Sequence, residues 1–90
     1  MKWGMAKKIE IYTQIFCPYC ARALKMLRGK GVDFIEIDAP NGSDARAAAT
    51  ERSGGRTTVP QIFVDGVAIG GSDELAALDA AGRLDELLAA

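Results

Sequence analysis

Isoleucines at positions 9 and 11 alternate with Glu10 and Tyr12, a period of two that predicts a strand over Lys8 to Thr13. The period then lengthens. Ala23, Leu24 and Leu27 form an apolar stripe at helical spacing, so Pro18 to Arg28 reads as a helix. Proline is tolerated in its first turn, and Ala, Leu, Lys and Met favour its interior. Gly29 and Gly31 end it. Val32 to Ile37 is rich in β-branched and aromatic residues and reads as a second strand. Ser43 or Asp44 can cap a second helix that runs to Arg52, where Ser53-Gly54-Gly55 stops it.

Two short apolar runs follow, Gln61 to Val64 and Val67 to Ile69, joined by the hairpin signal Asp65-Gly66. Ser72 is expected to cap a helix from Asp73 to Ala80. Beyond Gly82 a last amphipathic helix, Arg83 to Ala89, carries Leu84, Leu87 and Leu88. The order is βαβα, then ββα, with the amphipathic segment closing the chain. A crossover helix makes the first two strands parallel, and the hairpin adds an antiparallel pair. The expected fold is therefore α/β, a four-stranded mixed sheet flanked by helices on both faces.

A length of 90 residues suits one domain with a modest core, so 1–90 is expected to be a single domain with 1–7 as a disordered N-terminal extension. The first residues lack the apolar core and small-residue cleavage site of a secretion signal. No apolar run approaches the ~18 residues that a membrane span needs. The net charge is -1 and the lysines and arginines are dispersed, which argues against nucleic acid or a membrane surface as partner.

The chemistry is concentrated in Cys17-Pro18-Tyr19-Cys20, which holds both cysteines of the chain. With no histidine and no further cysteine, one chain cannot build a four-ligand zinc site. A half site completed by a second subunit stays open. A static bridge across so small a loop would stabilise almost nothing. A strand that ends in CxxC at the mouth of a helix is instead the arrangement for reversible dithiol chemistry. Cys17 falls at the helix start, where unpaired backbone N–H groups and the positive end of the helix dipole favour a thiolate. Cys20, one turn further on, should be more buried and less reactive. Working thiols without a secretion signal fit a reducing compartment, and the expected location is cytoplasmic.

Four motifs in order carry a resemblance: Tyr12-Thr13, Cys17-Pro18-Tyr19-Cys20, Thr58-Val59-Pro60 and Gly70-Gly71-Ser72-Asp73. From Ile9 to Leu88 the chain resembles the dithiol glutaredoxins of the thioredoxin-like fold. The resemblance implies a glutathione-dependent thiol–disulfide oxidoreductase that reduces protein disulfides and glutathione mixed disulfides, with Cys17 attacking and Cys20 resolving. It implies a cis Val59–Pro60 bond facing Cys17. Thr58, Val59 and Pro60 would meet the cysteine part of glutathione, through strand-like pairing with the Val59 backbone. Gly71 and Ser72, at a helix N-terminus, would hold the γ-glutamyl carboxylate, and Asp73 would hold the amine. Tyr19 would flank the bound molecule.

For the glycine carboxylate the resemblance points to Arg46 and to Gln14, which stands where the family commonly has a lysine and brings a hydrogen bond without a charge. Many dithiol members carry a third cysteine where Ser72 stands, and its absence removes a side-oxidation route. No tightly bound cofactor is implied: glutathione is a co-substrate. The implied partners are glutathione and glutathionylated or disulfide-containing proteins, met as a monomer. Two rivals remain. A redoxin of the same fold served by thioredoxin reductase is favoured by Gln14 and disfavoured by Asp73 and Tyr19. A dimer holding an iron–sulfur cluster through Cys17 of each chain is disfavoured by Pro18, which stiffens the loop.

Overall fold

The alternation that marks the first strand feeds two cores at once. A computed structural model describes residues 7–89, so the extension expected over 1–7 lies outside the described residues except for Lys7. The chain runs β1 (Ile9–Thr13), α1 (Pro18–Gly29), β2 (Ile35–Asp38), α2 (Asp44–Arg52), β3 (Gln61–Val64), β4 (Val67–Gly70), α3 (Ser72–Ala80) and α4 (Leu84–Leu88). The strands form a mixed sheet in the order β2-β1-β3-β4. β1 is parallel to β2, with Glu10 opposite Ile35. It is antiparallel to β3, with Tyr12 opposite Gln61. The fold is that of the thioredoxin-like α/β proteins.

Ile9 and Ile11 of β1, with Ile62 and Val64 of β3, face a core closed by Ala23 and Leu27 of α1, Leu75 of α3 and Leu84 and Leu88 of α4. Tyr12 and Phe63 point the other way and meet Ala39 and Ala49, with Ala45 and Val59 beside them. β1 and β3 are thus apolar on both sides, which makes them the centre of the sheet. Among the described residues no helix is long and apolar enough to cross a membrane.

The second face is thin, because α2 offers the sheet little more than alanines. A polar clamp supplements it. Arg52 at the end of α2 donates from Nη2 to Glu10 Oε1 at 2.9 Å and from Nη1 to the Tyr12 hydroxyl at 2.8 Å. Its guanidinium lies 4.2 Å from the centre of the Phe63 ring, and Phe63 meets Tyr12 edge-on at 5.6 Å. The hydrogen bond from Arg52 holds the Glu10 carboxyl below the usual carboxylate range, against the opposing effect of burial.

Several expected boundaries move. β2 starts at Ile35 rather than Val32, because β1 offers it partners only from Glu10 onward. Val32 and Phe34 pack onto the first core from the preceding loop instead. Ser72 does not cap α3: it is the first helical residue, and Gly71 occupies the cap. Glycine has no side chain to satisfy the free N–H groups, so the Glu74 carboxylate reaches back and accepts from the Gly71 N–H at 2.8 Å. α4 is shorter at both ends than the amphipathic pattern suggests. The hairpin is as expected, with Asp65 and Gly66 both at positive φ (51° and 81°).

Replacing Arg52 by alanine should destabilise the fold by about 1–3 kcal/mol at pH 7, because Glu10 and the Tyr12 hydroxyl lose their donor. A depressed carboxyl stabilises fully above its ordinary value of 4.5 and less as pH falls through its folded-state value. The loss should therefore shrink at pH 3. Urea midpoints of wild type and Arg52→Ala at both pH values check this, and an equal loss at each would assign the effect to packing alone.

Candidate active site

β1 delivers the chain to the site at Thr13. Its carbonyl accepts from Ala39 N at 2.7 Å and its hydroxyl donates to Glu36 at 2.8 Å, so the strand end is held to the segment after it in the sheet. Gln14, Ile15 and Phe16 then turn outward, and Cys17 takes the N-cap of α1 with extended backbone (φ -113°, ψ 104°). Pro18 opens the helix, where its missing N–H costs no hydrogen bond. The Cys17 sulfur does what a serine or aspartate oxygen usually does at a cap: it accepts the Cys20 N–H, at 3.1 Å. Donors at a helix start favour an anionic acceptor, so the cap of α1 is also the residue expected to attack.

The two thiols differ in surroundings. Cys17 is half-buried, whereas Cys20 is 2% exposed beneath it. Burial pushes the Cys20 thiol up to about 12, and its hydrogen bond with Cys17 adds to the rise. Cys20 thus remains protonated through neutral pH, able to donate to a Cys17 thiolate.

Opposite Cys17 lies the segment entering β3. The Val59–Pro60 bond is cis, and the Val59 carbonyl oxygen is 3.9 Å from the Cys17 sulfur. Gln61 donates to the Thr58 carbonyl at 3.0 Å and holds the turn from below. The start of α3 closes against it. A Cβ on Gly71 would stand 3.1 Å from the Pro60 carbonyl oxygen, and one on Gly70 (φ 120°) would stand 2.7 Å from the Glu74 side chain. Glycine at position 71 lets the helix start approach the proline turn, and glycine at position 70 allows the positive φ and leaves room for the Glu74 side chain.

An open cleft of about 250 Å³ results, lined by Tyr19, Arg56, Thr58, Val59, Pro60, Gly71, Ser72, Asp73 and Glu74. It gathers seven of the expected binding residues on one side of Cys17. The Ser72 hydroxyl, at the first residue of α3, is buried and has no hydrogen-bond partner. Asp73 is exposed and pairs with Arg22 of α1 at 3.2 Å. Glu74 pairs loosely with Arg56 at 3.4 Å, and the Gly71 N–H is the main cause that holds its carboxyl below the usual range.

Arg46 and Gln14 stand apart from this cleft but together. Arg46 Nη1 donates to Gln14 Oε1 at 2.9 Å and to the Ala39 carbonyl at 2.8 Å, and its Nε donates to the Thr57 carbonyl at 3.2 Å. Arg46 thereby fastens the loop before Cys17 to the loop before Thr58. Gln14 lines a second opening on the other side of Cys17. Sequence reasoning missed Arg56 and Glu74 as lining residues. Glu74 carries a legible signal, an acidic residue three positions after the Gly71 cap, but the local pattern puts that cap at Ser72. Among the described residues no cluster of three or more His, Cys, Asp or Glu could hold a metal ion.

The family model described as Glutaredoxin matches residues 9–69. Glutaredoxin 3 of Escherichia coli is 54% identical over 80 residues, which cover 89% of this chain and 95% of that protein. A glutaredoxin of Pseudomonas aeruginosa is 50% identical over 82 residues, covering 91% and 96% respectively. Among solved structures, the solution structure of a glutaredoxin from Brucella melitensis superposes with a TM-score of 0.81 at 50% identity, over 93% of this chain and 90% of that one. The crystal structure of a buckwheat glutaredoxin–glutathione complex superposes with a TM-score of 0.80 at 28% identity, over 91% and 76%.

With limiting iodoacetamide at pH 7, Cys17 should carry the label and Cys20 should not. Labelling of Cys20 should rise only as pH climbs well above 9, because burial pushes its thiol up to about 12. Peptide mapping by mass spectrometry reads both sites, and equal labelling at pH 7 would contradict the assigned division of roles.

Proposed function

The chain belongs to the glutaredoxin family and is a thiol–disulfide oxidoreductase, and on that footing we propose that it is glutathione-dependent and works through Cys17 and Cys20. The observation that carries this reading is the Cys17 sulfur, which caps α1 and faces the Val59 carbonyl across the mouth of the cleft. Glutathione is present in the buckwheat relative's complex, and the cleft beside Cys17 has polar groups suited to a similar molecule.

In the proposed reaction the Cys17 thiolate attacks the glutathione sulfur of a mixed disulfide. A bond forms between Cys17 and glutathione, and the protein or small-molecule thiolate leaves with the electron pair of the broken bond. A second glutathione thiolate then attacks that sulfur, releasing oxidised glutathione and restoring Cys17. With a protein disulfide, Cys17 first forms the mixed bond. Cys20 then loses its proton and displaces the product, and two glutathiones reduce the resulting Cys17–Cys20 bond. The raised Cys20 thiol suits a group that stays protonated until Cys17 is bonded and no longer needs its hydrogen bond.

Thr58, Val59 and Pro60 would receive the cysteine part of glutathione along the cleft floor. The unpartnered Ser72 hydroxyl and the first N–H groups of α3 would receive the γ-glutamyl carboxylate. The Gly71 N–H already serves Glu74, so Gly71 would contribute shape rather than a free donor. Asp73 would take the amine by exchanging Arg22 for it, and Tyr19 would cover the ligand from the rim. Gln14 and Arg46 would meet the glycine carboxylate, the charge coming from Arg46 through its position beside Gln14. The protein would act as a monomer in a reducing, cytoplasmic setting on glutathionylated and disulfide-containing proteins.

With glutathione as the only reductant, turnover of a small glutathione mixed disulfide should persist in Cys20→Ser and vanish in Cys17→Ser. Asp73→Ala should raise the apparent KM for that substrate by about three- to fivefold, the scale of an exposed ion pair. No turnover by wild type, with activity appearing once thioredoxin reductase is added, would replace this reading by that of a reductase-linked redoxin.

A further inference from the structure

Large hydrophobics left exposed among the described residues are Ile15, Phe16, Tyr19, Ile35 and Val67, and three of these five stand within two residues of Cys17. Phe16 is the extreme case. Its backbone lies in the left-handed region (φ 56°), which bulky residues rarely enter, and its ring is 95% exposed. Local strain is thus tolerated at a position where the ring gains no packing in return. Such a combination beside a reactive atom marks a surface shaped for something outside the chain.

The lip formed by this loop borders the second opening at Cys17. That opening measures about 570 Å³, larger than the cleft on the Val59 side, and its walls include Ile15, Phe16, Pro18, Ala21, Leu24 and Glu36. Cys17 lines it, so a chain bonded to the Cys17 sulfur can lie along it. Its lining holds no lysine or arginine, and Glu36 contributes a carboxylate. The occupant is therefore apolar rather than anionic, and a second glutathione, with its two carboxylates, is a poor match.

We propose that the Ile15–Phe16 lip is the docking surface for the polypeptide half of the substrate, and that it selects cysteines flanked by a large apolar side chain. The inference rests on the thiol–disulfide chemistry of Cys17. The two openings then divide the substrate between them: the polar cleft takes the glutathione part, whose glycine end reaches Gln14 in the lining of the second opening, and the apolar walls of that opening take the chain that carries the cysteine.

The test uses Cys20→Ser protein and two neutral peptides, each with one cysteine bonded to thionitrobenzoate and with either phenylalanine or serine next to it. The Cys17 thiolate attacks the peptide sulfur, a Cys17–peptide disulfide forms, and the thionitrobenzoate anion leaves with the bonding electrons and is read by its colour. The same disulfide of cysteamine measures the thiol chemistry without a peptide. Relative to cysteamine, the phenylalanine peptide should react about tenfold faster than the serine peptide, as burial of one aromatic face predicts. In Cys20→Ser/Phe16→Ser and Cys20→Ser/Ile15→Ser that ratio should fall to about twofold or less. Equal rates for the two peptides, or a ratio that survives both substitutions, overturn the proposal. No glutathione enters the assay, so a failure of the proposed glutathione cleft leaves this readout standing. Failure of Cys17 to react even with the cysteamine disulfide would remove the thiol chemistry and this inference with it.

Discussion

The antiparallel pairing of β1 with β3 is the constraint on which the site depends. Tyr12 sits opposite Gln61, so the exit of β1 and the entry of β3 lie at the same end of the sheet. Everything reactive is attached to those two ends: Cys17 follows β1 by a short loop, and Val59–Pro60 immediately precedes β3. Their 3.9 Å approach follows directly from this register. A slip of β1 by one residue would turn Ile9 and Ile11 out of one core and Tyr12 out of the other. Because both faces of this pair are buried, the register is strongly specified, and the geometry between sulfur and carbonyl is specified with it.

Two helix starts converge on that point, and they are finished differently. α1 is capped by the Cys17 sulfur itself, so forming the helix and holding that sulfur in place are one event. α3 is capped by glycine, which leaves room for the proline turn and a carboxylate, Glu74, bent back over the first N–H. The charged groups around the cleft are already paired, Asp73 with Arg22 and Glu74 with Arg56. Both pairs are exposed and worth about 0–1 kcal/mol at most, so a charged ligand can exchange with them at small cost.

On the far face the sheet is held by something less ordinary than a hydrophobic stripe. α2 is alanine-rich and contributes little apolar area, and Arg52 compensates by reaching Glu10, Tyr12 and Phe63 together. Arg46, earlier on the same helix, ties the loops before Cys17 and before Thr58. α2 therefore acts through two arginines, one fixing it to the sheet and one bracing the site.

Much of this was legible in the chain itself, for local reasons. Alternation at Ile9 and Ile11, the stripe at Ala23 and Leu27, and Asp65-Gly66 each express a backbone preference within a few residues, and all three elements form as read. CxxC after a strand announced the thiol chemistry because sulfur, helix start and strand end are neighbours in sequence. The start of β2 was not legible, since a strand begins where its partner does. Nor was the cap of α3, because Ser72 has every local quality of a cap and was displaced by the close approach of Gly71 to Pro60. Local pattern was enough for the elements, their order and the paired cysteines. Which polar groups stay paired around Cys17, how Arg46 reaches Gln14 and why Phe16 stands out in solvent were set by the packing of the whole chain. Those outcomes depend on distances between segments far apart in the chain, which no local pattern encodes.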